Sequence, residues 1–180
     1  MTTRDKLSTQ QVVSCDATTN GVPAMMENWG CQGGNTETAY MYIAYNGGVS
    51  SSDDYPYSSF YGSTGDCDTS KKTYGVTVTS YHSIQGEESM KNYVMSTGPL
   101  SICIDASDWS TYQGGIVSSC GTDVNHCVQV VGIDTENGYW IVRNSWGTTW
   151  GEQGYIYLKT DQNTCVIDND PTYADVSVKK

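Results

Sequence analysis

The chain changes texture about halfway along. TETAYMYIAYNGG (36–48) brings Ala39, Ile43 and Ala44 onto one helical face and then stops at Gly47-Gly48, so the spacing predicts a helix with a glycine C-terminus. EESMKNYVMSTGP (87–99) groups Met90, Tyr93 and Val94 in the same way and is closed by Gly98-Pro99, a second helix. LSTQQVVSC is shorter and fits one or two helical turns leading into Cys15. Residues 49–77 are rich in Ser, Asp, Tyr and Gly and read as ordered loop, with Tyr55-Pro56 as a turn pair. Beyond Pro99 come LSICI, HCVQVVGI, GYWIVRN, GYIYLK and TYADVSV, short β-branched and aromatic runs divided by Gly, Asn and Asp, the mark of strands. Helix and loop followed by strands predicts an α+β fold in two unequal lobes, with residues 1–77 helical and 78–180 β-rich.

Composition narrows the function classes. With 180 residues the chain can form one compact domain or two small lobes. Fourteen tyrosines against one phenylalanine mean that much of the aromatic surface needs a partner for its hydroxyl. A net charge of −11 and a pI near 4.3 argue against nucleic acid and against anionic membranes as partners. No apolar run approaches the ~20 residues of a membrane span, and the N-terminus has no signal-peptide core. Seven cysteines suit an oxidising compartment, and the odd number leaves at least one outside any internal pair. No close C-x-x-C pair and no four-ligand zinc spacing occurs, so no metal or other cofactor is expected. Cys120, His126 and Cys127 are an incomplete set.

The adjacent pair His126-Cys127 invites a nucleophile–base reading, but HCVQVVGI alternates as a strand does. Successive strand side chains face opposite ways, so these neighbours cannot form the ~2.6–3.2 Å bond that activation needs. Cys127 is expected to pack as a small apolar residue, and His126 is left as a candidate base. Farther along, RNSWGTTWGEQGY (143–155) ends a strand in Asn144 and threads Trp146 and Trp150 through glycines. A side-chain amide can hold one imidazole nitrogen, fixing tautomer and ring angle, while a tryptophan shields the bond. The bland alternative is a Trp/Gly turn that only packs.

VNHCVQVVGID followed by YWIVRNSWGTTWGEQGYIYL resembles the histidine and asparagine regions of the papain family of cysteine peptidases, the cathepsin-like enzymes. LSTQQVVSCD, WGCQGGNTETAY, DDYPY, CGTDVNH and the late Cys165 follow in the family's order, from about residue 7 onward. The resemblance implies a two-lobed fold with a truncated helical left lobe (1–77) and a β-barrel-like right lobe (78–180). It also implies hydrolysis of peptide bonds through Cys-His-Asn. His126 and Asn144 would be the catalytic pair, and Trp146 their cover. The substrate would be a peptide or protein met by Gly33 and Gly34, with Cys103, Cys127 and Asp170 shaping the pocket for the second residue before the scissile bond. Asp170 at its base would admit Arg or Lys there.

One part of the family pattern is absent. The nucleophile belongs in a Q-x-x-x-x-C-G-S-C-W type motif ~130–150 residues before the histidine, which counts back past residue 1. No cysteine here is followed by Trp. The expectation is therefore that the chain begins after the catalytic cysteine, with Met1 an internal methionine. The resemblance pairs Cys15 with Cys67 and Cys120 with Cys165, orphans Cys31, and leaves Cys103 and Cys127 as free thiols. Two readings stay open: a piece of an active peptidase, or an inactive homologue that binds peptides or partners. An in-frame C-G-S-C-W-like motif ~16 codons upstream would select the first, by the family spacing. The chain is expected to act as a monomer in a lysosomal, vacuolar or secreted setting. Removing the left lobe's central helix would be costly against a stability margin of ~5–15 kcal/mol. The chain alone is thus expected to be poorly stable, and a cooperative, monomeric melt would contradict that.

Overall fold

The computed structural model describes residues 6–17, 22–26 and 28–178. Contacts divide the chain into two units, Met1–Tyr81 with Ala174–Lys180, and His82–Tyr173.

The first unit contains α1 (Thr9–Cys15) and α2 (Thr36–Tyr45). Ser8 caps α1 by accepting from the Gln11 amide, and Asn35 caps α2 by accepting from the Glu37 amide. Glu37 then sits in the first turn, where a negative charge suits the exposed N–H groups. Within α2 the buried residue is Tyr42, while Ala44 is exposed, so the predicted stripe is rotated toward the tyrosine. Ile43 packs against the core as its spacing predicts, but the alanines beside it offer little area, and Tyr42 supplies the rest.

The apolar core of this unit is small, with Cys15, Tyr42 and Tyr55 at its centre. Buried amides take over much of the work. Gln10 donates to Ser14 Oγ (2.8 Å) and Ser59 Oγ (2.7 Å) and accepts from the amides of Ser58 (2.7 Å) and Ser59 (3.0 Å). Gln11 donates to Gly48 O (3.0 Å) and accepts from the Ser50 amide (2.8 Å). The two glutamines thus tie α1 to loop 48–59 through groups that would otherwise be costly to bury. A Cys15–Cys67 disulfide adds a covalent tie.

The second unit holds α3 (Glu87–Ser96) and the strands β2 (Leu100–Ile104), β3 (Ile116–Val117), β4 (His126–Asp134), β5 (Tyr139–Arg143) and β6 (Tyr155–Lys159). Antiparallel ladders join β2–β4, β4–β5 and β5–β6, while β3 runs parallel to β6, so the sheet is mixed. With the helices this makes the chain α+β. Alternate residues fill one face: Val128 and Val130, Trp140 and Val142, Ile156 and Leu158, closed by Leu100, Ile102, Ile104 and Met90 of α3. A register shift between Val130 and Gly132 interrupts the alternation and leaves Val131 outside. Trp140 keeps its indole N–H satisfied on Glu87 (2.8 Å) at the start of α3.

Two strands escaped the hydrophobic pattern, β1 (Val76–Ser83) and the two-residue β3. β1 is flanked in the sheet by β7 (Thr172–Val178). Thr79 donates to the Asp175 carbonyl and Ser80 to its carboxylate, both in the first unit. The boundary by contacts therefore falls inside β1, after Tyr81, and assigns the C-terminal strand end to the first unit. A cut near residue 78 follows composition, which carries no signal for strand pairing between distant segments.

Asp16 is fully buried beside this small core; Oδ2 accepts from Asn28 Nδ2 at 2.5 Å, and Oδ1 has no partner among the described residues. Burial pushes its pKa from 3.8 up to about 7, against the opposing Asn28 bond. Below 3.8 the group is neutral in both folded and unfolded chains and its contribution is intact. Between 3.8 and about 7 the unfolded chain ionises first, so stability falls, and above that range it levels. Melts at pH 4.5 and 7.5 should differ by roughly a few kcal/mol at this site, higher at the acid end, and Asp16→Asn should remove most of the difference. The same pH dependence in both proteins would refute this.

Candidate active site

The site grows from the N-terminal end of β4. His126 opens the strand and pairs with Ile104 of β2. The segment before it is anchored by its own polar groups. Asn125 donates its amide to Ile104 O and accepts from the Ala106 amide, each at 3.0 Å. Asp105, buried, accepts from the amides of Ser107 and Asp123 at 2.9 Å. The Ser107 side chain and backbone, with the Asp123 amide, hold this carboxyl below the usual carboxylate range. The chain can pass this close because residue 121 is glycine, where a Cβ would lie 2.3 Å from the Asp105 oxygen.

Asn144 follows the last residue of β5 and is held by its amide on Gly154 O (2.9 Å). Its Oδ1 lies 2.9 Å from His126 Nε2 and 2.8 Å from the Ser145 amide. The Ser145 N–H can only donate, so the atom facing it is the side-chain oxygen and the amide is oriented. That oxygen can only accept, so Nε2 of His126 is the protonated nitrogen. The neutral ring then carries its lone pair on Nδ1, which has no hydrogen-bond partner among the described residues.

Aromatic rings enclose the contact. Trp146 stacks on His126 with ring centres 5.2 Å apart, and Trp109 meets the imidazole edge-on at 6.3 Å. Trp150 packs against both tryptophans and donates its indole N–H to Trp109 O (3.0 Å). The NSWGTTWG turn needs its glycines for this. A Cβ on Gly151 would come within 2.6 Å of the Tyr155 carbonyl, and its φ is +52°. Asn144 Nδ2 is buried without a partner among the described residues. Such shielding strengthens the His126–Asn144 bond by excluding water.

His126, Asn144 and Trp146 are thus brought together as the sequence led one to expect. Trp109, Trp150, Asp105 and Asn125 complete the setting and were not singled out for it. Trp150 lay within the quoted motif, whereas Trp109 opens a one-turn 3₁₀ helix, Trp109–Thr111, too short to show a periodicity.

Cys103 and Cys127 require correction. They are not free thiols but form a disulfide between directly paired residues of β2 and β4. The sequence pattern identified both strands but not that they are neighbours in this register. With Cys15–Cys67 and Cys120–Cys165 also bonded, six cysteines are paired and Cys31 alone is free. Cys120 and Cys127 therefore have no thiolate to offer a metal. Among the described residues, no group of three or more His, Cys, Asp and Glu gathers to hold one.

Asp170 is half-buried and accepts from Ser83 Oγ at 3.3 Å. In the first unit, Gly33 and Gly34 lie in an exposed turn after a one-turn 3₁₀ helix. Gly33 has a φ of +114° and open space where a side chain would be. Gly34 is glycine for an internal reason, since its Cβ would lie 2.2 Å from Asn28 Oδ1. That oxygen accepts from the Asn35 amide and from Thr38.

Known proteins resemble the chain in sequence and in fold. The profile described as "Papain family cysteine protease" matches residues 2–175. Cysteine proteinase 1 of Dictyostelium discoideum is 39% identical over 176 residues, covering 91% of this chain and 50% of that protein. KDEL-tailed cysteine endopeptidase CEP2 of Arabidopsis thaliana is 38% identical over 178 residues, covering 93% of this chain and 46% of its own length. The chain therefore spans about half the length of these relatives. Among solved structures, the bromelain protease from Ananas comosus in complex with the E64 inhibitor superposes with a TM-score of 0.79 at 34% identity, covering 94% of this chain and 78% of that one.

If Asn144 alone fixes the imidazole, Asn144→Ala should replace a single dominant tautomer by a mixture. Nitrogen NMR of labelled His126 reads this directly. An unchanged tautomer in the variant would show that something else holds the ring.

Proposed function

Because the chain belongs to the papain family of cysteine proteases, we propose that it carries the base and its orienting amide for thiol-dependent hydrolysis of peptide bonds. The observation that carries this reading is the oriented Asn144 oxygen, which keeps the proton on Nε2 and leaves the lone pair on Nδ1, without a hydrogen-bond partner among the described residues. A cysteine thiol presented to Nδ1 transfers its proton there, giving a thiolate–imidazolium pair. The thiolate attacks the peptide carbonyl, and the imidazolium returns the proton to the departing amine. His126 then takes a proton from the water that releases the acyl group. Asn144 holds the ring through both transfers, and Trp146 keeps water from the bond.

For substrate, Gly33 and Gly34 are proposed to offer backbone N–H and C=O to an extended peptide, as in strand addition. Gly33 suits this with its unobstructed backbone. Cys103, Cys127 and Asp170 are proposed to shape the pocket for the second residue before the scissile bond. The carboxylate would favour Arg or Lys, and equal cleavage of basic and apolar peptides would contradict it. Three disulfides suit a lysosomal, vacuolar or secreted setting, and the working unit is proposed to be a monomer.

The test uses protein isolated from its source. Peptide hydrolysis should require a reducing thiol, label with an active-site epoxide, and fall by at least ~10³-fold in His126→Ala, as loss of a general base predicts. The 180-residue chain by itself should show no such turnover. A source protein of that mass that neither labels nor hydrolyses would sink the peptidase reading and leave that of an inactive homologue that binds peptides or partners.

A further inference from the structure

A buried side-chain amide lies directly behind the Gly33–Gly34 turn. Asn28 is 7% exposed, and the three atoms nearest to a Cβ placed on Gly34 all belong to it, at 2.2, 2.6 and 2.9 Å. Residue 34 is thus glycine because Asn28 fills the space behind it. Oδ1 of Asn28 accepts from the Asn35 amide at 2.6 Å and from the Thr38 hydroxyl at 2.8 Å. The Asn35 N–H can only donate, so the amide is oriented, and its nitrogen donates to Asp16 Oδ2 at 2.5 Å. Asp16 is fully buried, so both ends of the Asn28 side chain are held inside the first unit.

The consequence for the turn follows from a single peptide unit. Gly34 C=O and Asn35 N–H share one plane, and in a trans peptide they point in opposite directions. With the Asn35 N–H drawn inward onto Asn28, the Gly34 carbonyl is turned away from it. Gly34 has no side chain to hold this plane, and Asn28 is the partner of the Asn35 N–H among the described residues. Of the two glycines, Gly34 carries the unengaged groups. Gly33 donates to Gly30 O at 3.2 Å and accepts from the Trp29 amide at 2.9 Å, whereas the N–H and C=O of exposed Gly34 have no hydrogen-bond partner among the described residues.

We propose that Asn28 is a positioning residue for substrate: it sets the direction of the Gly34 carbonyl, the acceptor that an N–H of an extended peptide meets. This rests on the reading of the turn as an edge for strand addition. Asn28 touches no substrate and acts through the Asn35 N–H. Asp16 keeps the Asn28 oxygen beneath residue 35 by accepting from Nδ2. Without that oxygen the Asn35 N–H is orphaned and the peptide plane is free to rotate, a loss on the order of tenfold in peptide affinity. The substrate's bond to Gly34 is made alike in the ground state and the transition state, so the loss falls on KM rather than kcat.

The experiment uses the whole source protein carrying each substitution, an extended peptide substrate, and the same peptide N-methylated before the scissile bond so that it has no N–H to donate there. Asn28→Ala should raise KM for the parent peptide about tenfold, move kcat less than about twofold, and speed amide exchange at Asn35. Asp16→Asn/Asn28→Asp exchanges carboxylate and amide while keeping every donor opposite an acceptor, and should bring KM back to within about threefold of the unsubstituted protein. The N-methylated peptide should bind weakly to the unsubstituted protein, and Asn28→Ala should weaken it no further. If Asn28→Ala does not fold, Asn28→Ser, whose shorter side chain cannot span Asp16 and the Asn35 amide, takes its place. With the N-methylated peptide weak, an unchanged KM in Asn28→Ala or no recovery in the exchanged pair would overturn the role of Asn28 and leave strand addition standing. If N-methylation costs no affinity, strand addition at the turn fails and the proposal falls with it.

Discussion

One oxygen atom organises the second unit's polar chemistry. Oδ1 of Asn144 receives two N–H groups, from its own neighbour Ser145 and from His126. The first of these bonds is local and orients the amide; the second is long-range and converts that orientation into a choice of tautomer. Remove the Ser145 bond and the amide could turn, offering Nδ2 to the ring and reversing the proton's position. The antiparallel run of β4 and β5 brings the ends of these two strands together, which is why the sheet has to be right before the site can be. The tryptophans then deny water to the result.

The two units solve the problem of folding differently. The second buries a continuous apolar face, with Trp140, Leu158, Ile156 and Met90 fully inaccessible, where stability follows area removed from water. The first has little apolar area at its centre and relies on Gln10 and Gln11, each saturating loop amides. Networks of this kind are stabilising only while complete, because a half-satisfied buried amide is worse than none. Asp16, buried with one oxygen unpartnered among the described residues, shows the exposure to pH that such a polar interior carries.

Much of this was legible beforehand, for identifiable reasons. The strands LSICI, HCVQVVGI, GYWIVRN and GYIYLK announce themselves because one face is buried and the period is two. His126, Asn144 and Trp146 were legible because amide, imidazole and indole form a chemically coherent set near strand ends. What stayed hidden was everything decided by pairing between distant segments. The Cys103–Cys127 bond depends on the β2–β4 register, β1 on its place beside β7, and Trp109 on a one-turn 3₁₀ helix that brings its ring to the histidine. The orientation of α2 was half legible for a related reason: Ile43 of the marked face does pack against the core, but Ala44 is exposed and Tyr42 buries more surface.

The account stands on the proton assigned to Nε2 of His126. Hydrogen-exchange NMR on the neutral ring measures it most directly. A proton held between Nε2 and Asn144 under Trp146 should give a distinct low-field imidazole signal that exchanges slowly with water and couples to Nε2. A signal coupled to Nδ1 instead, or none slowed relative to a free histidine, would contradict the arrangement from which the chemistry is derived.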